Sequence, residues 1–155
     1  CASRAWIRYS RSMRPSPEPR RSRRHRIEAC PEGVRAALGT IMAELGAGGL
    51  GDGARQDAEI VLAEVLTNIA RHAYGGTGGP VRLALWILRD GQTLCSVIDW
   101  GRPMPGGVMP PGTMPDPHRR PEGGFGWPLI RLLSAAVRYD RLGRRNRLRL
   151  RLRGA

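Results

Sequence analysis

A chain of 155 residues has room for one domain with a real core and not for two of ordinary size. Only 5% of it is aromatic, so the core must come from Leu, Val, Ile and Ala, and its formal charge of +13 rests on arginine without a single lysine. That charge gathers in residues 4–26 and 138–153 while the middle is near balance, which argues against a general polyanion binder. Cys1, Cys30 and Cys95 are odd in number and lack the paired spacing of a disulfide framework or a metal site, which fits a reducing cytoplasm. The N-terminal residues offer no apolar signal region, and the longest apolar run, VRLALWIL at 81–88, falls far short of a membrane span. A soluble cytoplasmic protein is expected.

Residues 1–24 combine Pro, Ser and Arg without apolar periodicity and read as a disordered arm, leaving 25–155 as the domain. HRIEAC, 25–30, is a strand candidate. PEGVRAALGTIMAELG then predicts a helix with Pro31 in its first turn, Val34, Leu38, Ile41 and Leu45 on one face, and Gly46 at the stop. A glycine loop leads to a second helix over 52–74, whose stripe includes Ala58, Val61, Leu62, Val65, Leu66 and Ile69. Two β-rich runs around Asp90-Gly91 predict a hairpin. A Gly/Pro/Met-rich loop, about 102–122, precedes GGFGWPLIRLLSAAV, which opens on glycines and becomes a helix with Pro128 in its first turn. A second hairpin closes the chain, its last strand alternating Leu148, Leu150 and Leu152 with Arg149, Arg151 and Arg153. The expected fold class is α+β, a two-layer sandwich of helices on one mixed sheet.

Within the second helix, AEVLTNIARHAY sets Glu64, Asn68 and His72 four residues apart, inside an arc of about 80° along one border of the apolar stripe. An ordinary polar flank would account for them in isolation. IDWGRP, 98–103, ends a strand on a carboxylate and a glycine, where a backbone can approach a planar ligand closely. EGGFG, 122–126, stands directly before a helix and offers N–H groups to phosphates. Each segment has a plain structural explanation when taken alone, a turn in one case and a loop's need for glycine in the other.

Together and in this order, the three segments resemble the Bergerat-type ATP-binding fold shared by histidine kinases, gyrase and bacterial anti-sigma factor serine/threonine kinases. EVLTN is similar to its N box, DWGRP to its first glycine box and GGFGWPLI to its second. The resemblance is strongest to the anti-sigma branch, with E-x-x-x-N-x-x-x-H-A-Y, D-x-G-x-P, G-G-x-G and a closing Tyr139 through GRRNRLRL, and it covers about 25–153. It implies ATP and Mg²⁺ as cofactors. Asn68 would bind Mg²⁺ and Glu64 would be the general base toward the attacking hydroxyl. His72 would lie near the phosphates, Asp99 would accept from the adenine amino group, Gly101 would let the base approach, and Gly124 and Gly126 would free backbone amides for the phosphates.

The partners implied are a sigma factor and an anti-sigma factor antagonist, with a homodimer as a further expectation. Trp127 and Pro128 depart from the aliphatic or small residues usual in the second box, and 104–121 make a Pro-rich lid in which Arg119 or Arg120 is a candidate phosphate contact. Three other readings stand beside the kinase. One is an ATP-binding regulatory module that sequesters a partner without turnover. Another is a nucleic-acid binder, disfavoured because no base-stacking aromatics lie among the C-terminal arginines. The last is a histidine kinase, disfavoured because His25 sits in a Pro/Arg-rich context.

Overall fold

The computed structural model describes residues 19–112 and 125–153. In chain order it runs β1 (Pro19–Glu28), α1 (Pro31–Ala47), α2 (Asp52–Asn68) continued by a π-helical turn (Ile69–Ala73), β2 (Pro80–Leu88), β3 (Thr93–Asp99), a single 3₁₀ turn (Pro105–Gly107), α3 (Gly126–Leu133), β4 (Ser134–Leu142) and β5 (Arg145–Leu152). The element order is the one expected. β1 starts six residues before His25, so part of the Arg-rich segment read as an arm is strand.

One five-stranded sheet has the order β1-β2-β3-β5-β4. Every adjacent pair is antiparallel, so the sheet is not mixed as expected. The connections explain this. Two helices between β1 and β2 return the chain to the end it left, and both hairpins reverse it. α3 alone would make β3 and β4 parallel neighbours, but β5 lies between them.

The hairpin at Asp90-Gly91 forms as expected, with Gly91 at φ 79 and Asp90 Oδ1 accepting from the Gln92 N–H at 3.1 Å. A greater departure lies at Ser134. The residues Ser134-Ala135-Ala136-Val137 read as the end of a helix, yet α3 stops at Leu133 and Ser134 turns extended, at φ −104 and ψ 137. Pairing of Ser134 with Leu152 and Val137 with Leu150 overrides the helix preference of alanine.

The core lies between the three helices and one face of the sheet. Val61, Leu62 and Leu66 of α2, Ile41 of α1 and Ile130 of α3 are sealed against Val81, Leu83 and Leu85 of β2 and Leu150 and Leu152 of β5. Removing each such side chain from water contributes about 1.5–3 kcal/mol, and this burial holds α2 flat on the sheet with its polar border at the rim. Among the described residues, no helix is long and apolar enough to cross a membrane.

Candidate functional site

The site is built where β3 ends, where α2 ends and where α3 begins. Asp99 is the last residue of β3 and is buried, directly opposite Asn146 of β5. Its Oδ1 accepts from the Gly101 N–H at 2.9 Å and from Asn146 Nδ2 at 2.7 Å. Among the described residues its Oδ2 accepts nothing. Burial pushes the carboxyl above its usual range, while Asn146, the Gly101 amide and Arg141 pull against that rise.

Asn146 ties the loop after β3 to the sheet. Its Nδ2 also donates to the Arg102 carbonyl at 3.0 Å, and its Oδ1 accepts from the Tyr139 hydroxyl and from Arg141, both at 2.7 Å. Donors on one side and acceptors on the other fix the amide's orientation, because the flipped form would set its oxygen against the Asp99 carboxylate. The Tyr139 hydroxyl in turn accepts from the Met104 N–H at 3.2 Å. On the opposite side, the Tyr74 hydroxyl donates to the Pro80 carbonyl at 2.6 Å and accepts from the Trp100 N–H at 3.0 Å. Burial pushes the Tyr74 phenol above its usual value, so it remains a donor.

The π turn after Asn68 carries the main chain toward this loop. The Tyr74 N–H reaches back five residues to the Ile69 carbonyl at 3.1 Å, and the Ala73 carbonyl is left to accept from the Arg102 N–H at 2.8 Å. A side chain on Gly101 would meet that carbonyl oxygen at 2.5 Å and its carbon at 2.6 Å. Close packing on the end of α2 therefore already requires glycine at 101, apart from any approach of a ligand. His72 lies in the π turn, exposed, and makes no hydrogen bond or ion pair with the described residues.

Glu64 and Asn68 meet the second glycine segment directly. A Cβ on Gly126 would lie 2.5 Å from Glu64 Oε2 and 3.4 Å from Asn68 Nδ2. The Asn68 amide nitrogen is buried and has no hydrogen-bond partner, a costly state unless something else occupies that corner. Because the two ends of an amide exchange places by a simple flip, the same corner can present the oxygen, and a side-chain oxygen is the donor Mg²⁺ prefers. The residues present therefore fit such an ion: Asn68 would supply the oxygen, and the absent Cβ of Gly126 leaves the space.

α3 begins at Gly126 with no side-chain cap on its first turn. The Leu129 N–H bonds to the Phe125 carbonyl at 3.0 Å, and Pro128 has no N–H, so Gly126 and Trp127 carry the open backbone donors of that turn. Arg131 of α3 donates twice to the Pro110 carbonyl, at 3.0 and 3.2 Å, fixing the first part of the Pro-rich loop to the helix. Gly124, Arg119 and Arg120 lie outside the described residues.

Glu64, Asn68 and Gly126 are thus brought into one corner, and Asp99 and Gly101 into a neighbouring loop joined to the same helix end. His72 joins neither through a contact. Sequence reasoning gave no task to Asn146, Tyr74, Tyr139, Arg141 or Arg131. For Asn146 a signal existed: it holds the inward phase of β5 shared by Leu148, Leu150 and Leu152, where a polar residue needs partners. The described cavity of ≈ 320 Å³ lies elsewhere, between β1 and α1, and includes no site residue named above.

No curated protein sequence matches the chain. Among solved structures it is similar to the RsbU and RsbW domains of Rv1364c from Mycobacterium tuberculosis, with TM-score 0.62 and 18% identity over 88% of this chain and 33% of that one. It is similar as well to the blue-light activated histidine kinase EL346 of Erythrobacter litoralis, with TM-score 0.54 and 21% identity over 76% of this chain and 40% of that one. The chain thus spans about a third of the first structure and 40% of the second, and at these identities the likeness is one of fold. The model of the histidine kinase-like ATPase domain matches residues 27–152, from the end of strand β1 to the end of β5 and across every site segment described above. The chain belongs to the histidine kinase-like ATPase domain family, and ATP binding goes with that membership.

Proposed function

We propose that the protein is an ATP-dependent serine/threonine kinase of the anti-sigma type, which holds a sigma factor and is countered when it phosphorylates an anti-sigma factor antagonist. The observation that carries the reading is the corner where the Glu64 carboxylate lies against Gly126, one helical turn from the orphaned amide of Asn68. Nucleotide binding alone gives no reason for a carboxylate beside phosphate donors. The fold likeness to a chain with an RsbW domain supports the same branch.

In this reading Asp99 Oδ2 accepts from the adenine amino group, and the Asn146 network holds the carboxylate still while the base binds. Mg²⁺, when bound at Asn68, would neutralise charge on the phosphates. The open N–H groups of Gly126 and Trp127 would orient the γ-phosphoryl group. The substrate hydroxyl oxygen forms its bond to the γ-phosphorus as the bond from that phosphorus to the bridging oxygen breaks. ADP leaves, and the hydroxyl proton passes to Glu64.

The absent N–H of Pro128 favours a second reading, an ATP-binding module that sequesters a partner without turnover, because it removes one phosphate donor from the first turn of α3. Glu64→Gln separates the two. A general base contributes about 10²- to 10⁴-fold, so transfer of labelled phosphate to the antagonist in a single turnover should fall by that factor while calorimetric ATP affinity stays within a few-fold. Equal transfer in mutant and parent removes Glu64 from the chemistry. No transfer by the parent to any antagonist, with ATP bound, leaves the module.

A further inference from the structure

The helices cover one face of the sheet, and among the described residues no element covers the other. Residues directly opposed across antiparallel strands point to the same side, so the register gives this open face as rows running across the strands. One row is Ser22, Trp86, Leu94, Arg151 and Ala136, from β1 through β2, β3 and β5 to β4. The next is Arg24, Ala84, Ser96, Arg149 and Arg138, and the third is Arg26, Arg82, Ile98, Arg147 and Asp140. Two adjacent rows thus hold six arginines, and the row beside them holds a tryptophan and a leucine, both half-buried.

The polar contacts on this face fix side chains without cancelling the charge. Asp140 pairs with Arg138 at 3.3 Å, with Arg147 at 3.5 Å and with Arg149, one carboxylate for three guanidinium groups. Arg151 donates to the neutral Gln92 at 2.6 Å. Seven arginines therefore stand against one carboxylate in the three rows, and at the end of the sheet Glu28 and Arg145 offset each other. The helix side has the opposite sign, for α1 and α2 carry Glu32, Glu44, Asp52, Asp57, Glu59 and Glu64 against Arg35 and Arg55. A general arginine bias in the chain would not divide the two sides in this way. Such a division draws a polyanion to the sheet and turns it from the helices. In the sequence the arginines lie mostly in two separate runs, and strand order joins them because β1 and β5 flank β2 and β3.

We infer that the open face of the sheet binds single-stranded nucleic acid. Neighbouring rows lie about 6.7 Å apart along the strands, and five strands span about 19 Å, room for a short run of nucleotides. The phosphates follow the two arginine rows, where guanidinium groups hold phosphate oxygens in pairs. The bases turn to the adjoining row, where Trp86 offers an indole face and Leu94 an apolar floor. A duplex keeps its bases stacked inside and would leave Trp86 unused. A bilayer suits the face less, because membrane attachment needs a broad apolar surface and the apolar side chains here are half-buried among arginines. The nucleotide corner lies in the helix layer on the other side, so this surface stands whether or not the kinase reading holds.

The probe is a labelled oligothymidylate of about 12 nucleotides, titrated against the full chain and followed by anisotropy. Binding should weaken steeply as salt is raised. Arg24→Ala with Arg26→Ala should weaken it by about tenfold at low salt and lower the slope of log affinity against log salt by about 0.7 for each arginine removed. Trp86→Leu takes away the stacking face and no charge, so affinity should fall at least about fivefold with the slope unchanged, and Trp86→Phe should recover most of the loss. Circular dichroism and an unchanged ATP affinity check that the variants are folded. The arginine pair lies on the exposed outer strand, so that variant tests the proposal even where Trp86→Leu does not fold. Failure of the parent to bind at low salt overturns the proposal, as does equal affinity in the parent and the arginine variant or in the parent and a folded Trp86→Leu. Tighter binding of a duplex, of polyglutamate or of phosphatidylserine vesicles through the same arginines overturns it in favour of that ligand.

Discussion

Two glycines show how the identity of a neighbouring atom decides the effect of the same substitution. In Gly126→Ala the new methyl would meet Glu64 Oε2, the tip of a side chain that can swing away. The fold should keep its stability or gain up to about 1 kcal/mol from better helix propensity, while phosphoryl transfer falls because the carboxylate has been pushed from its place. In Gly101→Ala the methyl would meet the Ala73 main chain, which cannot swing, and a loss of about 1–3 kcal/mol is expected. Urea unfolding beside a transfer assay separates the two cases; equal stability losses in both would contradict the contrast. Asp140 adds a pH effect. Burial pushes its carboxyl up, but Arg149, Arg138 and Arg147 together outweigh that and hold it below its usual value. A lowered folded value means the stabilisation is present above the unfolded pKa of about 3.9 and is lost as pH falls through the folded one. The stability gap between parent and Asp140→Asn should therefore be largest near neutrality and shrink in acid. A gap that grows on acidification would reverse the assignment.

At the level of elements, the two glycine segments and the α2 edge were legible because their chemistry is local: a four-residue spacing, a strand ending in Asp-x-Gly, glycines before a helix. What joins them was not. The Asn146 amide reaches 47 residues back to Asp99, and no local pattern announces the partner of a buried amide. The misread start of β4 has the same origin, since two alanines favour a helix until β5 supplies the pairing. The mixed sheet was expected because strand order across a crossover is a tertiary choice. From the geometry, Asn146→Ala should cost about 1–3 kcal/mol by leaving Asp99 and Tyr139 without their shared partner, and ATP affinity should fall with it as the loop from Trp100 to Met104 loosens. Calorimetry and thermal unfolding of the same preparation read both effects. Unchanged ATP affinity would show that the network supports the sheet and not the site.

For the whole molecule, Cys95 provides a gauge of global stability. It lies in β3 near the middle of the sheet, buried, and that burial pushes its thiol well above the usual value. Alkylation of Cys95 should proceed only through unfolding, so its rate should track the unfolded fraction across denaturant, while the half-buried Cys30 reacts sooner. Cys95 labelling far faster than unfolding would place an opening motion in the centre of the sheet. The strand order also bears on how the protein is made. β5 is the last of these five strands to leave the ribosome, yet it sits inside the sheet, between β3 and β4, and it brings the asparagine that holds Asp99. Until those eight residues emerge, β3 has a raw edge and β4 has no neighbour at all. Synthesis can thus build the β1–β3 half before β5 emerges, but the loop after Asp99 must wait for that strand, and a nascent chain stalled short of Arg145 should bind no ATP and expose an edge prone to pairing with other chains.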